Sequence, residues 1–267
     1  MRLAIFLAVT FAALAWALAG PVAVAAPAGP SPKPDCPSSG TESAVVAAAA
    51  DATTLRLKDG RLVRLAGIDV PVSLPETAAE LAALLPPETA VNLAPTVEGR
   101  SDRYGRRHAS VFVADGRTLQ AALVAAGAAR ARWLPGDSAC FPELLALERR
   151  ARAGRLGLWA DSQAILSADD PSLLQRSGLY EVVAGRLYSV GHGTPITFLD
   201  FGRSHRQDFT VMLSASVAKA LTATLGSVDS LVGERLLVRG VIESSGGAAM
   251  RLNNAAEIEL LDDQRKP

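Results

Sequence analysis

The 267-residue sequence predicts a mainly β protein with helices, an α+β fold arranged in two parts. Two observations lead to this class. Short apolar runs are separated by hairpin signals such as Asp59-Gly60. In the second half, Phe209, Val211 and Leu213 stand at alternate positions, as the buried side of a half-buried strand does. The formal net charge is zero, so no global field would attract nucleic acid or a membrane surface.

The first 25 residues predict a secretory signal peptide. Arg2 precedes a long apolar run, and small residues at Ala23-Val24-Ala25 provide a cleavage site. An uncleaved anchor stays open as an alternative, because the run is long enough to approach a membrane span. No later stretch is long and apolar enough to span a bilayer, so we expect no integral membrane domain after cleavage. The expected location is the periplasm or the exterior of the cell.

Residues 26–42 are rich in proline and serine and predict a linker. This linker contains Cys36, and the only other cysteine is Cys140. In an oxidising compartment these two form the only possible intramolecular disulfide. Such a bridge would close a long loop and stabilise the fold by about 4–5 kcal/mol in the chain-entropy model. The alternative is two unpaired thiols.

The first domain is predicted over residues 43–160 and begins with a β-hairpin. An apolar run reaches Leu57, the Asp59-Gly60 turn follows, and Arg61–Leu65 is the returning strand. Arg64 alternates with Val63 and Leu65 in that strand and therefore points away from the core.

Three helices and two further strands complete the first domain. Thr118 is a predicted N-cap and Gly127 a predicted stop for the middle helix. Arginines crowd residues 100–155 and form either a solvated surface or an anion-binding face. The predicted elements are a helix over Pro75–Leu85, strands over Thr89–Pro95 and Ala109–Val113, a helix after Thr118, and a helix from Pro142.

The composition turns polar over residues 161–177, which predicts a linker to a second domain over residues 178–263. The order in this domain is three strands, one helix over Val217–Leu225 and two strands. That order is typical of a small OB-type Greek-key barrel. Its strands are predicted at Tyr180–Val190, Ile196–Phe201, Phe209–Leu213 and Arg235–Glu243, with a final pair near Met250 and Ile258.

Four segments of the first domain resemble the staphylococcal nuclease, or thermonuclease, family. They are Asp51–Leu57, Val63–Pro71, the DRYGR turn Asp102–Arg106, and the RLGLW ending Arg155–Trp159. The resemblance implies that residues 43–160 form the OB-type five-stranded barrel of that family, so that two barrels follow in tandem. It also implies a calcium-dependent phosphodiesterase that acts on DNA and RNA.

That chemistry needs a cation held by carboxylates, a carboxylate base and two arginines that stabilise the phosphate in the transition state. The resemblance assigns the catalytic arginines to Arg64 and Arg106. It assigns substrate binding to Arg103, Tyr104 and Trp133. The aromatic rings of Tyr104 and Trp133 are of the kind that stack on bases.

The carboxylates match the family less well. Asp51-Ala52-Thr53-Thr54 stands where the family has Asp-Gly-Asp-Thr, so Thr53 replaces a calcium ligand. Asp69 remains as a ligand candidate, together with Asp51. Val72 stands where the family has its general-base glutamate, and Glu76 is an alternative base. We therefore expect any calcium site to be weakened or lost.

Three functions are consistent with this pattern. One is a non-catalytic protein that binds nucleic acid or another polyanion through the retained arginines. The second is an active nuclease with an altered metal site. The third is an envelope scaffold that binds another protein and has neither activity.

Overall fold

The computed structural model describes residues 36, 41–72, 74, 77–96, 101–135, 139–204 and 207–261. The predicted signal peptide and most of the linker before residue 41 lie outside these ranges. The first domain contains β1 (Glu42–Asp51), β2 (Thr54–Leu57), β3 (Leu62–Leu65), β4 (Ile68–Asp69), α1 (Thr77–Leu84), β5 (Ala90–Pro95), β6 (Arg106–Phe112), α2 (Leu119–Ala126), β7 (Arg130–Ala131) and α3 (Phe141–Ala153).

The first domain is a closed five-stranded barrel with the strand order β1-β2-β3-β6-β5. Strands β3 and β6 run parallel, whereas the other neighbours are antiparallel. Leu55, Val63, Leu65 and Val111 fill its interior together with residues of α2 and α3. This is the OB-type barrel that the resemblance implied, and the strands fall where the hairpin and alternation signals predicted them.

Both predicted caps of α2 are confirmed. The Thr118 hydroxyl accepts a hydrogen bond from the Ala121 amide, and Gly127 takes a left-handed conformation at the end of the helix. Helix α3 begins one residue before the predicted Pro142.

The second domain contains β8 (Leu166–Ser167), β9 (Tyr180–Arg186), β10 (Ser189–His192), β11 (Ile196–Asp200), β12 (Thr210–Ser214), α4 (Ala215–Leu225), β13 (Arg235–Ser244), β14 (Ala248–Leu252) and β15 (Ile258–Leu260). Its sheet has the order β10-β11-β12-β14-β13-β9-β8, with β15 on β13. Only two residues separate β9 from β10, so these two strands connect directly, and β8 adds an edge beyond β9. The strand order from β10 to β9, with β12 parallel to β14, is that of an OB-type barrel.

Residues 161–177, predicted as a linker from their polar composition, contain one short strand and buried apolar residues. Strand β8 pairs in parallel with β9 and extends the second sheet. Leu173 is buried in the core cluster of the second sheet despite its polar neighbours. The predicted domain boundary at this segment stays a prediction.

Buried ion pairs join the two barrels. Arg239 on β13 is fully buried, and its guanidinium binds Glu148 of α3 at 2.7 Å and also Glu259 of β15. Burial opposes the charged form, but the Glu148 and Glu259 carboxylates raise the pKa of Arg239. Arg152 of α3 reaches Glu259 at 2.7 Å as well. An interface of this kind holds the barrels in one arrangement, since each charge depends on its partner.

Cys36 and Cys140 form a disulfide. Both are buried in a small apolar cluster with Phe112 of β6. The bond ties the segment that precedes the first barrel to the residue immediately before α3. In the described part of the chain, no helix combines the length and apolar character needed to cross a membrane.

Candidate functional site

Four arginines line one open cleft of about 410 Å³ on the first barrel. We call it the arginine cleft and define it by Arg64, Arg103, Arg106 and Arg132, with Asp102, Tyr104 and His108. Of the described residues that line this cleft, one carries a carboxylate and four carry a guanidinium group. Such an excess of positive charge at a concave surface favours an anionic ligand.

Strand pairing explains why these residues meet. The parallel register of β3 and β6 places Arg64 opposite His108. Side chains two residues apart in a strand share a face, so Arg106 lies on the same face as His108. Arg64, Arg106 and His108 therefore converge at one edge of the barrel, although 42 positions separate the two arginines in the numbering.

Asp102 orients Arg106. Its Oδ2 accepts from the Arg106 Nε at 2.8 Å and lies 2.8 Å from the Arg106 Nη2, while Oδ1 accepts from the Arg106 amide at 3.0 Å. Desolvation acts to raise the pKa of Asp102, but the hydrogen bonds from the side chain and backbone of Arg106 prevail and lower it to about 2. The carboxylate is thus ionised at neutral pH and fixes the guanidinium in place.

Two hydroxyl groups support the arginines from β2 and the turn before it. Arg64 donates to the Thr53 hydroxyl at 3.2 Å, and Arg106 donates to the Thr54 hydroxyl at 3.4 Å. Thr53 in turn donates to Asp51 at 3.0 Å. The threonine that replaces a carboxylate is therefore a neutral link between Asp51 and Arg64.

Arg64 lies in an unfavourable place for a cation. Burial first, then repulsion from Arg106 and Arg132, lowers the pKa of Arg64, with partial compensation by Asp51 and Asp69. An anion bound among the three guanidinium groups would relieve that repulsion. The geometry of the cleft and its electrostatics thus point to the same kind of ligand.

Tyr104 lies at the mouth of the arginine cleft and is exposed. The Arg103 guanidinium lies 4.7 Å from the centre of its ring, and that of Arg106 lies 5.0 Å away. Arg103 also donates to the phenolic oxygen at 2.6 Å. The predicted substrate-binding pair, Arg103 and Tyr104, is thus brought together next to Arg106.

Asp69, the predicted calcium ligand, is engaged by two arginines. Its Oδ2 lies 2.6 Å from the Arg130 guanidinium and its Oδ1 lies 3.5 Å from that of Arg132. Arg130 is buried and also binds Glu181 of β9 at 2.9 Å. Asp69 therefore takes part in the contact between the barrels, and its carboxylate is already neutralised there.

The described donors do not fit a calcium ion. Calcium takes about six to eight oxygen ligands, several of them from carboxylates. Asp51 accepts from the amide and hydroxyl of Thr53 and faces Arg106 at 4.0 Å, and Asp69 is held by Arg130. Among the residues that the structure describes, no group of three or more His, Cys, Asp or Glu side chains is placed to hold a metal. The cations around both aspartates oppose the entry of another cation.

Two further predicted positions do not join the arginine cleft, and a third lies outside the described residues. Val72, at the place of the base, is 86% exposed and cannot ionise. Glu76, the alternative base, lies outside the described residues. Trp133 packs partly buried against the first core and lines a different, smaller cleft between the barrels. The structure does not bring Trp133 to the arginine cleft.

Sequence reasoning missed Arg132 as a site residue and Asp102 as the group that orients Arg106. A signal for Arg132 was present. Arg130 and Arg132 are two residues apart around a short strand, so both side chains point to the same side. Asp102 begins the DRYGR turn, and an aspartate at that place commonly binds backbone amides two residues or more ahead.

The comparison with known families agrees with this geometry. Residues 62–161 match the family model described as staphylococcal nuclease homologue. No curated protein matches the chain. The match indicates a nuclease-type or nucleic-acid-binding function, and every residue that defines the arginine cleft lies within the matched range. The chain therefore contains a staphylococcal nuclease homologue domain, and the arginine cleft belongs to it.

Proposed function

We propose that this protein is an exported, non-catalytic binder of single-stranded nucleic acid that holds phosphate groups in the arginine cleft. The observation that carries the proposal is the convergence of Arg64, Arg103, Arg106 and Arg132 on one cleft with a single aspartate. Guanidinium groups suit phosphate because their planar donors form charge-assisted, bidentate hydrogen bonds with it. Tyr104 at the mouth adds a ring on which a base can stack.

The state of the candidate general-base positions explains why we propose binding without hydrolysis. Hydrolysis of a phosphodiester requires a group that takes a proton from the attacking water. Val72 cannot serve, and Asp69 and Asp51 are occupied by Arg130 and by Thr53. Losing a general base alone costs about 10²–10⁴ in rate.

The disulfide supports the export part of the proposal. Disulfides persist in oxidising compartments such as the periplasm or the cell exterior and are rare in the cytosol. The bond between Cys36 and Cys140 joins two buried sulfur atoms. An exported location agrees with the predicted signal peptide over residues 1–25.

Fluorescence anisotropy with a labelled oligothymidylate at low salt tests the proposal. We expect Arg64→Ala and Arg106→Ala each to weaken binding about 10- to 150-fold, since a hydrogen bond to a charged group is lost. Each should also reduce the slope of log K against log salt by roughly 0.7, the value for one phosphate contact on a single strand. Arg117→Ala is the matched control, because Arg117 pairs with Asp115 in a turn outside the cleft.

Two outcomes would contradict the proposal. If the folded wild-type protein binds no single strand even at low salt, the arginine cleft is not a nucleic-acid site and the scaffold hypothesis replaces it. If the protein digests denatured DNA with added calcium, and Arg106→Ala abolishes that digestion, the protein is a nuclease with an altered site.

A further inference from the structure

The second barrel has an aromatic surface on its outer face that the proposed function does not use. Phe198 on β11 is paired with Gly191 on β10 and remains 37% exposed. A Cβ atom on Gly193 would lie 3.2 Å from the ring, so the phenyl group lies along β10 over glycine backbone. A residue bulkier than glycine at Gly191 or Gly193 would crowd the Phe198 ring.

This ring borders an open cleft of about 340 Å³. Met212 forms part of its floor, and Asp200 and Thr210 line one side. The Asp200 carboxylate is satisfied there, because the Thr210 hydroxyl donates to it at 2.9 Å. The surface is therefore mainly apolar apart from this hydrogen-bonded carboxylate, and a flat nucleobase can stack on the exposed Phe198 ring.

Arg251 connects this surface to the contact between the barrels. Its guanidinium lies 3.7 Å from the Met212 sulfur, at the edge of the aromatic cleft. Arg251 also lines a cleft of about 150 Å³ between the barrels, together with Trp133 and Arg132. Arg132 in turn lines the arginine cleft.

Residues at the borders of neighbouring clefts, Arg132 and Arg251, link the three clefts into one path over both barrels. It runs from Arg64 and Arg106 through Arg132, then past Trp133 and Arg251, to Met212 and Phe198. Three arginines lie at one end of the path, Trp133 and Arg251 in the middle, and apolar Met212 and Phe198 at the other end, while the acidic residues Asp200, Glu243 and Glu257 also line these clefts. A single-stranded nucleic acid offers a phosphate for the cations and a flat base for the rings in every unit.

We propose that the second barrel extends the binding site, so that a strand held by its phosphates in the arginine cleft continues across Trp133 and Arg251 and stacks a base on Phe198. This inference rests on the proposed function of the arginine cleft and adds a length requirement to it. It also gives Trp133 a contact with the strand beyond the cleft. Glu243 and Glu257 both line the middle of the path, and Glu243 is the exposed one, which opposes a phosphate there.

Binding of oligothymidylates of about 4 and about 16 nucleotides, lengths that bracket the site of one OB-type barrel, tests the extension. The wild-type protein should bind the long strand more tightly than the short one. Phe198→Ala and Phe198→Leu should each weaken long-strand binding roughly 5- to 150-fold, the loss expected for one stacked base, and leave short-strand binding unchanged. Arg251→Gln should act in the same direction, and Glu243→Gln should strengthen long-strand binding.

Leu260→Ala removes a similarly exposed apolar side chain from the same barrel and should bind both lengths as the wild type does. Thermal unfolding of each variant verifies that it is folded, and oligouridylates of the same lengths extend the comparison to RNA. If Phe198→Leu binds the long strand as tightly as the wild type while Arg106→Ala loses both lengths, the extension is wrong and the arginine cleft stands. If the wild type binds neither length, both proposals fail.

Discussion

Arg106 owes its position to Asp102, four residues earlier in the same turn. The carboxylate binds the side chain and the backbone amide of Arg106 and leaves the rest of the guanidinium facing the cleft. A flexible arginine would lose side-chain entropy on binding phosphate, whereas an arginine that is already held has lost it in advance. The affinity of the cleft therefore depends on residues that do not touch the ligand.

The pKa of Asp102 provides a test of this arrangement. The folded-state pKa of about 2 lies below the unfolded value of about 3.9, so Asp102 contributes stability that is present above about pH 4 and is lost as the pH falls towards 2. NMR titration of the Asp102 carboxyl carbon should give a midpoint near 2 in the wild type. In Arg106→Ala the midpoint should rise towards the ordinary value. Arg117→Ala should leave the midpoint unchanged. A midpoint that stays near 2 in Arg106→Ala would show that the Arg106 side chain does not lower the pKa of Asp102.

Some site residues could be predicted from sequence and others could not, for a physical reason. Arg64 follows from strand alternation, and Arg106 with Tyr104 follows from a short turn, so local pattern was enough. Asp69 appeared to be free for a cation because its partner Arg130 is 61 positions away and Arg130 also binds Glu181 in the other barrel. The Asp69–Arg130 pair depends on the pairing of β4 with β7, and the Arg130–Glu181 pair depends on how the barrels pack; no local pattern reports either.

At the scale of elements, α2 and the turn after α3 approach each other through two glycines, Gly127 and Gly157. Gly127 ends α2 with a φ of 74°, and the Leu158 amide donates to its carbonyl at 2.9 Å. A Cβ atom on Gly127 would lie 2.2 Å from the Leu156 carbonyl oxygen. The stop that the sequence predicted is therefore also a packing contact, and it holds α3 against the barrel.

Comparison of Gly127→Ala with Gly116→Ala separates these two roles. Both glycines have positive φ angles, 74° and 81°, but a Cβ atom on Gly116 would meet nothing within 4 Å. Gly116→Ala should lower the free energy of unfolding by about 1–2 kcal/mol, the cost of the left-handed conformation. Gly127→Ala should cost about 1–3 kcal/mol more, because the backbone must shift. Urea unfolding measures both, and equal losses would show that the contact with Leu156 relaxes freely.

At the scale of the whole molecule, the second barrel occupies groups that a metal site would need. Arg130 neutralises Asp69 and binds Glu181, and α3 carries Glu148 into the contact with Arg239. Arg132, which lines both the arginine cleft and the cleft between the barrels, lies at the same contact. The charged interface thus engages Asp69, and it lies where we propose that the binding surface continues.

The fully buried Arg239 tests whether this interface holds the barrels together. Arg239→Met removes the fully buried cation between Glu148 and Glu259 and leaves them with Arg152 and, for Glu259, Arg149, so it should lower the free energy of unfolding by about 3–5 kcal/mol. Arg235→Met, an exposed arginine on the same strand, should change it by less than about 0.5 kcal/mol. Adding Glu148→Gln to Arg239→Met should recover part of the loss, because one uncompensated charge is removed.

We expect urea unfolding of Arg239→Met to separate into two transitions, one for each barrel, while the wild type unfolds in one. A wild-type midpoint in Arg239→Met would mean that apolar packing alone joins the barrels and that the ion pairs add nothing.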